Sequence, residues 1–571
     1  MRLFVRYLFC ITICFSLVYG DKPLVLPWLN IKSEVSTKVQ EFLNAEDSST
    51  SIIKKVSSKH DVLGRNQNGV STYVTSSELK KMRVSVVYRD VPQFCGQPHF
   101  ARFDSDENRF YINDTLLPEK IFFDKMANYE QKCENIPSDF IADLTAAEIR
   151  SLLQGEYHVL IQDVPVSNPL QETSSDDFIP YTDVLNLSGI SVHAHSNGYN
   201  GNGITAYVSE PDCPNTQYIN TTNFVQHKTN CRGNVGSHIT HMIDVFQKTA
   251  PGAVLHEFNS SENPNSNQNG VIWDIGFLAE RSSATGYYSN HEEYLDNYIL
   301  RNKTIVFVAA GNQYESTGSY HVSSPGKALN AITVGAVSPR TGLYNSFSRW
   351  DNSNIGNQKP EVLNYSDFDL LRNATFVDSY GNISNGRSSG TSSATAYTAG
   401  LMANVLQQHP FFKRHPEMAK ALLITGSTKS VSNYAFDADN NSKAARAVPL
   451  YQKLAWSTRS AYWNGSNSDF FVGDSISFNE SEIVAGKRYR VAISWLTPGS
   501  YITENQTISQ DLDLYVYQDD RIIAKSFSAK NPFEVVDFVA TSNSDLRIKI
   551  HRYANSGVGD IKLGYNMWFG Y

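Results

Sequence analysis

The stretch SSGTSSATAYTAGLMANVLQQHP, residues 388–410, changes character part-way along. Its first residues are small, and from Ala394 onward it has the Ala, Leu, Met and Val content of a buried helix. Ser and Thr are common at helix starts because their hydroxyls accept hydrogen bonds from free backbone N–H groups. The same position suits a nucleophile, since the helix dipole and those N–H groups stabilise developing negative charge. An interpretation of Ser392 as nucleophile requires a base, an orienting group and an oxyanion donor elsewhere in the chain.

The size and charge of the chain narrow the possible classes of protein. With 571 residues, it is longer than one ordinary domain and is expected to form two to four. The formal net charge is −8, and no stripe of Lys and Arg is interleaved with aromatic residues. We therefore expect no nucleic-acid partner.

The first twenty residues have the pattern of a secretory signal peptide. Arg2 and Arg6 precede an uncharged apolar stretch from Tyr7 to Tyr19, and small residues follow where cleavage would occur. An uncleaved anchor is the alternative, but the stretch is shorter than the roughly 20 residues that span a bilayer. No later segment has the length and composition of a membrane span. We expect a protein that is secreted or resides in the lumen of the secretory pathway or of endolysosomes.

Three further segments differ in their patterns. Residues 21–178 mix strand-like and helical pieces and end in the polar stretch NPLQETSSDD, residues 168–177. Residues 179–454 alternate short Val/Ile/Ala-rich runs with helical patterns, which predicts a parallel sheet flanked by helices. Residues 455–571 alternate apolar and polar residues, which predicts antiparallel strands with one buried face.

Chemically useful side chains follow the predicted strands and helix starts of the middle segment. GNGITAYVSE ends a strand with Glu210, and HITH, residues 238–241, opens a helix with His238. AAGN ends another strand with Asn312, and GTSSA places Ser392 before the helix described above. In an open parallel sheet, side chains at the carboxyl ends of the strands meet in one crevice.

These four motifs, in this order, resemble the landmarks of the subtilisin-like serine proteases, the subtilases. The resemblance covers about residues 180–427 and includes APGA after the histidine helix and SSPGKALNAITVGAV after Asn312. It implies an α/β fold with a subtilisin-like parallel sheet flanked by helices. An α+β propeptide, residues 21–178, would precede the peptidase domain, residues 179–454, and an antiparallel β-sandwich domain, residues 455–571, would follow it.

The resemblance also implies a role for each site residue. Ser392 would be the nucleophile, His238 the general base and acid, and Asn312 a side-chain donor in the oxyanion hole. The family's orienting Asp falls on Glu210, which is one methylene longer, and Asp212 is the alternative. A well-placed carboxylate of either kind can hold the imidazole.

Three positions depart from the family pattern. Ile239 replaces the Gly after the catalytic His, and its bulk could restrict rotation of His238. Ala396 replaces a Pro and should be harmless, since Ala favours helices. The family's Ser-Leu-Gly-Gly substrate-binding wall has no clear counterpart, so substrate specificity does not follow from the resemblance.

Two functions remain open at the level of sequence. The first is a secreted serine endopeptidase that cleaves protein or peptide substrates and is made as a zymogen. Residues 144–166 resemble the last helix and strand of an inhibitory prodomain, so the chain's own propeptide would be an intramolecular inhibitor. It would be cut by Ser392 between about Val166 and Asp177. The alternative is a catalytically inactive subtilase-fold protein that binds a partner through its cleft or C-terminal domain, with a lectin or adhesion role for that domain as a further alternative.

No cofactor is expected, and the evidence for a metal is weak. DLDLYV, residues 511–516, has alternate carboxylates that could ligate calcium, but a solvated strand face is the favoured interpretation. The cysteines of the mature chain lack CxxC spacing, which disfavours zinc. We predict the disulfides Cys95–Cys133 and Cys213–Cys231, because a bridge between domains would tether a released propeptide to the enzyme.

Glycosylation is expected along the secretory route. Acceptor sequences of the N-x-S/T type occur at Asn113, Asn186, Asn220, Asn259, Asn302, Asn364, Asn373, Asn382, Asn440, Asn464, Asn479 and Asn505, some of them by chance.

Overall fold

The fold was analysed in a computed structural model. It describes residues 34–45, 80–88, 100–113, 115–131, 140–155, 159–163, 167–169, 178–228, 236–259, 273–282, 288–312, 321–349, 359–370, 376–377, 379, 383–384, 386–427, 448–466, 470–499, 508, 510–555 and 560–570. The predicted signal peptide lies outside the described residues. None of the helices described combines the length and apolar composition needed to cross a bilayer.

The N-terminal segment contains short strands and helices. The strands are β1 (Glu34–Val35), β2 (Lys81–Tyr88), β3 (Phe100–Asp104), β4 (Arg109–Ile112), β5 (Thr115–Leu117), β6 (Phe140–Thr145), β7 (Val159–Asp163) and β8 (Ser167–Pro169). The helices are α1 (residues 37–45), α2 (Glu119–Gln131) and α3 (Ala146–Leu153). α3 begins with a capping box, in which Thr145 and Glu148 bond each other's backbone N–H groups.

The middle segment alternates strands and helices, as predicted. Its strands are β9 (Ile179–Pro180), β10 (Thr205–Glu210), β11 (Phe224–Gln226), β12 (Val254–Asn259), β13 (Ile275–Leu278), β14 (Glu280–Ser282), β15 (Ile305–Ala309), β16 (Ile332–Val337), β17 (Val362–Tyr365), β18 (Phe368–Asp369), β19 (Phe376–Val377), β20 (Ile383–Ser384) and β21 (Arg387–Ser388). Its helices are α4 (Tyr181–Leu187), α5 (Ser237–Thr249), α6 (Asn290–Asn302), α7 (Thr391–Gln408), α8 (Pro416–Thr425) and α9 (Tyr451–Ala455).

The C-terminal segment is made of longer strands. They are β22 (Thr458–Ser466), β23 (Ser475–Glu480), β24 (Arg488–Leu496), β25 (Gln510–Gln518), β26 (Arg521–Ser526), β27 (Phe533–Val539), β28 (Leu546–Asn555) and β29 (Asp560–Phe569). Short helical turns elsewhere in the chain lie at Ile190–Ala194, His195–Asn197, Thr216–Tyr218, Pro410–Phe412 and Val472–Asp474.

A seven-stranded parallel sheet in the order β11-β12-β10-β13-β15-β16-β17 forms the centre of the middle segment. β13, β15 and β16 are buried along their whole length, as expected for a parallel sheet covered on both faces by helices. α7 packs so tightly on α5 that there is no room for a side chain at Gly400. A Cβ added there would lie only 2.5 Å from the Cβ of Thr249. The predicted fold class is thereby confirmed.

Two antiparallel sheets form the C-terminal sandwich. One runs β27-β24-β29-β22-β3-β4-β5 and the other β23-β28-β25-β26. Apolar residues of both, such as Trp495 and Leu514, share one core. Arg490 donates to the carbonyls of Thr425 at 3.0 Å and Ser427 at 2.6 Å, at the end of α8. The sandwich is thus joined to the peptidase segment through buried polar contacts.

Strands β3 to β5 do not follow the predicted domain limits. They fall within residues 21–178, yet β3 pairs antiparallel with β22 of the C-terminal segment. Strands β1, β2, β6 and β7 form a separate sheet in the order β1-β7-β2-β6, and β8 pairs with β14 of the middle segment. The predicted domain boundaries at residues 178 and 455 therefore do not coincide with the boundaries of the folded units. The role of residues 21–178 as a propeptide stays a prediction.

The expectation of a solvated face at Asp511 and Asp513 is wrong. These residues are 4% and 6% exposed, so the face of β25 opposite the core residues Leu512 and Leu514 is buried as well. Burial and the neighbouring Asp513 raise the pKa of Asp511 to about 6. In the described part of the chain no group of three or more His, Cys, Asp or Glu side chains is placed to hold a metal ion.

Burial also separates the glycosylation acceptors. Asn302, Asn364 and Asn464 are 4%, 0% and 2% exposed, so they cannot carry a glycan in the folded protein. The described acceptors that are exposed are Asn113, Asn186, Asn220 and Asn479.

Cys213 is buried and disulfide-bonded. The other cysteines of the predicted pairs, Cys95, Cys133 and Cys231, lie outside the described residues. Both pairings stay predictions.

Candidate active site

Ser392 lies in the first turn of α7, which begins at Thr391 after Gly390. Gly390 has a φ of 97°, a backbone conformation that suits glycine and turns the chain sharply into the helix. Ser392 is 1% exposed, and its Oγ donates to the carbonyl of Ala279 at 3.3 Å. The hydroxyl is therefore fixed at the positive end of an 18-residue helix.

His238 and Glu210 are in direct contact. Glu210 is the last residue of β10, and His238 is the second residue of α5. The Nδ1 of His238 lies 3.0 Å from Oε2 of Glu210, in hydrogen-bond range, and both residues are buried. The side chain of Glu210 thus reaches the imidazole of His238 from the end of β10, the position predicted from the sequence motif.

Asp212, the alternative orienting residue, lies against a different part of the loop. A Cβ on Gly236 would lie 2.8 Å from Oδ2 of Asp212, so this carboxylate packs against the turn before α5. Lys228 donates to the main-chain carbonyl of Asp212. Because Glu210 occupies Nδ1 of His238, the geometry favours Glu210 as the orienting group.

Asn312 is held rigidly beside the start of α7. Its Oδ1 accepts hydrogen bonds from the backbone N–H of Thr391 at 3.0 Å and from its hydroxyl at 3.1 Å. Thr391 in turn accepts from the N–H of Gly311 at 3.1 Å. A Cβ on Gly390 would lie 3.0 Å from Nδ2 of Asn312, so the amide's donor end faces the turn that carries Ser392. An amide in this position can donate to a developing oxyanion.

Ile239, whose bulk was expected to restrict rotation of His238, is a core residue of α5. It is fully buried in the main hydrophobic core, together with Met242 and Ile243 of the same helix. Ala396 is likewise a core residue of α7. The departure at Ile239 is accommodated by packing into the core.

Other histidines of the middle segment are buried or hydrogen-bonded. His241 is buried at 1% exposure, and His195 contacts the carbonyl of Thr249 at 2.8 Å. His256 contacts Nε2 of His227 at 2.8 Å through its Nδ1, and burial followed by this neighbour lowers the pKa of His256 to about 4.

A second buried carboxylate, missed by the sequence analysis, lies near Glu210. Glu257 of β12 pairs in register with Val208 of β10 and forms an ion pair with Lys228. Burial raises the pKa of Glu257 to about 7, with Lys228 opposing the shift and Glu210 adding to it. The only sequence feature that could have indicated this buried carboxylate was a single Glu within a partly apolar strand.

A short strand beside Ser392 forms a wall of the site. β14, Glu280–Ser282, directly follows Ala279, whose carbonyl accepts the Ser392 hydrogen bond. Its antiparallel partner is β8, with Ser167 opposite Ser282 and Pro169 opposite Glu280. No sequence motif marks this wall, because backbone pairing requires no particular side chain.

Comparison with known proteins identifies the family of the segment that carries Asn312 and Ser392. Residues 257–444 match the model described as the Subtilase family. This segment belongs to the subtilase family. The resemblance predicted from the motifs is thereby confirmed, and the match indicates a serine-type peptidase. Glu210 and His238 lie before the matched residues.

Two solved structures are similar to the chain at low identity. Fervidolysin from Fervidobacterium pennivorans, a keratinolytic enzyme related to subtilisin, is 13% identical. The match covers 83% of this chain and 70% of that chain, with a TM-score of 0.39. MycP1 with its N-terminal propeptide removed is 16% identical over 49% of this chain and 97% of that chain, with a TM-score of 0.33.

Proposed function

We propose that the chain is a secreted serine endopeptidase that is made as a zymogen and acts through an acyl-enzyme on Ser392. The observation that carries the proposal is the hydrogen bond between His238 and Glu210 at the end of the sheet that also bears Asn312. A carboxylate that fixes Nδ1 leaves the imidazole in the orientation needed for proton transfer. Localisation in the secretory route rests on the N-terminal sequence pattern alone.

The proposed reaction follows from these positions. His238 takes the proton of the Ser392 hydroxyl through Nε2 as Oγ attacks the substrate carbonyl carbon. The oxyanion that forms accepts hydrogen bonds from the Asn312 amide and the backbone N–H of Ser392. The C–N bond then breaks, the proton passes from His238 to the leaving amine, and water hydrolyses the acyl-enzyme by the same proton route.

An extended peptide is the form of substrate that the site favours. The edge of β14 offers backbone groups next to Ser392, and an extended peptide adds to such an edge as an antiparallel strand. β8 of the chain's own N-terminal segment already pairs there. This pairing supports an inhibitory role for the N-terminal segment.

The register of β8 narrows the proposed site of self-cleavage. Going from Ser167 to Pro169, the chain runs along β14 from Ser282 to Glu280 and so approaches Ala279. Since the Ala279 carbonyl contacts Ser392, Pro169 is at the end of β8 that is directed toward the nucleophile. We therefore place the cut directly after this strand, within the window from Val166 to Asp177.

A fluorophosphonate probe tests the proposal on the purified protein. We expect covalent labelling of Ser392 and its loss in Ser392→Ala. Ser393→Ala is the matched control, since Ser393 lies in the same turn but bonds the carbonyl of Ser389. An unlabelled wild-type protein that is folded and processed would instead identify an inactive binding protein.

A further inference from the structure

The N-terminal segment is divided between two cores. β1, β2, β6 and β7 form one sheet, and with α1 and α3 they enclose a small core that includes Phe42, Val84 and Ile149. Residues 100–131, which we call the insertion, lie in sequence between β2 and β6 but do not join this sheet. The insertion belongs instead to the rest of the molecule.

The backbone of the insertion completes the sheet of the C-terminal sandwich. Five residues of β3 pair antiparallel with β22, from Phe100 opposite Trp463 to Asp104 opposite Arg459. β4 and β5 continue the sheet outward. Without the insertion, β22 would present a row of unpaired backbone groups.

Buried polar contacts fix the same junction. The hydroxyl of Ser105 donates to the carbonyl of Thr458 at 2.9 Å and accepts from its N–H at 3.1 Å. Arg459 Nε lies 3.2 Å from a carboxylate oxygen of Asp104, and Arg459 is 6% exposed. Separation of the two segments would leave these buried groups without their partners.

Aromatic packing joins the insertion to the peptidase core. Phe103, Phe110 and Phe122 are at most 3% exposed and belong to the main hydrophobic core. Phe411 contacts Phe103 and Phe122 with ring centroids 5.3 and 5.6 Å apart. Dissociation would expose this cluster to water.

We propose that the insertion is a permanent part of the enzyme. After the self-cleavage placed above, on which this inference rests, the N-terminal fragment would stay bound as a second chain. Its binding surface would be the edge of β22 together with the Phe411 cluster. Activation would then require β8 to leave β14 while β3 stays on β22, rather than dissociation of the whole fragment.

The test uses a full-length Ser392→Ala chain in which residues 171–177 are replaced by the recognition sequence of an external protease. After complete cutting, the two fragments should co-elute in size-exclusion chromatography at 1 M NaCl and separate only in denaturant. Elution of the N-terminal fragment apart from a folded C-terminal fragment would overturn the proposal. Because the cut is external, this result does not depend on whether the wild-type protein cleaves itself.

Substitutions locate the binding surface. In the cut chain, Phe103→Ala with Phe122→Ala should lower the urea concentration at which the fragments separate. Phe42→Ala is the matched control, because it removes a similar side chain from the small N-terminal core. If Phe42→Ala promotes separation and the double variant does not, the fragment is held by the small core and the proposed surface is wrong. Should the double variant not fold, separation of the fragments of the unsubstituted cut chain would still overturn the proposal.

Discussion

The imidazole of His238 lies 3.0 Å from the carboxylate of Glu210. We predict that Glu210→Gln lowers kcat by roughly 10⁴-fold, the effect of the equivalent Asp-to-Asn change in a serine protease triad. Peptide hydrolysis by the processed enzyme measures this. Asp212→Asn, the control, should change kcat little. The opposite pattern would show that Asp212 orients the imidazole.

The amide of Asn312 should contribute to the transition state rather than to substrate binding. Asn312→Ala is expected to lower kcat by about 10²- to 10³-fold with little change in KM. Steady-state kinetics separate the two constants. Asn364→Ala is the control, because Asn364 is also a fully buried amide but bonds Thr398 outside the site. Equal losses of kcat in both variants would attribute the effect to general destabilisation.

Gly390 combines a positive φ with a close neighbour. Gly390→Ala should abolish most activity, because the new methyl would lie 3.0 Å from Nδ2 of Asn312. Gly342→Ala provides a comparison, since Gly342 has a φ of 68° and no heavy atom of the described residues lies within 4 Å of where its Cβ would stand. Gly342→Ala should lose about 1–2 kcal/mol of stability. Gly390→Ala should lose about 1–3 kcal/mol, because its φ of 97° and ψ of 170° form a conformation that is essentially restricted to glycine. Hydrolysis assays and thermal melts measure the two effects. A loss of activity in Gly342→Ala as large as that in Gly390→Ala would contradict the prediction.

The buried carboxyl of Asp511 should make stability depend on pH. Its pKa rises from an ordinary 3.8 to about 6 in the folded protein, so the folded state binds the proton more tightly than the unfolded state. The stability that protonated Asp511 contributes to the folded state is fully present below about pH 4 and is lost as the pH rises through 6. Asp511→Asn should flatten the decline in unfolding free energy across this window, measured by urea titration. Asp520→Asn, at a side chain that is 98% exposed, should leave the decline unchanged.

Residue motifs predicted the site better than they predicted its surroundings. Ser392, His238 and Asn312 lie in short sequence patterns tied to strand ends and helix starts, so their local chemistry is visible in the sequence. The ion pair of Glu257 with Lys228 joins a strand to a distant loop, and neither side chain has a motif. Pairing of β8 with β14 uses backbone groups, which every sequence supplies.

Burial of polar residues also depended on tertiary structure. The alternation at Asp511 and Asp513 correctly predicted a strand, but it assumed that one face of that strand meets water. Similarly, β3 has the pattern of an ordinary strand, and nothing in its residues indicates that its partner is β22. Pairing across more than 350 residues leaves no local signal.

The union of β3 with β22 has a consequence for biosynthesis. The ribosome completes Phe103 long before Ser460, its partner across the two strands, so the sheet cannot close until most of the chain has emerged. Contacts between residues so distant in sequence slow folding, and an unpaired strand edge invites aggregation meanwhile. Translation past the last strands is therefore the earliest moment at which this protein can reach its native state.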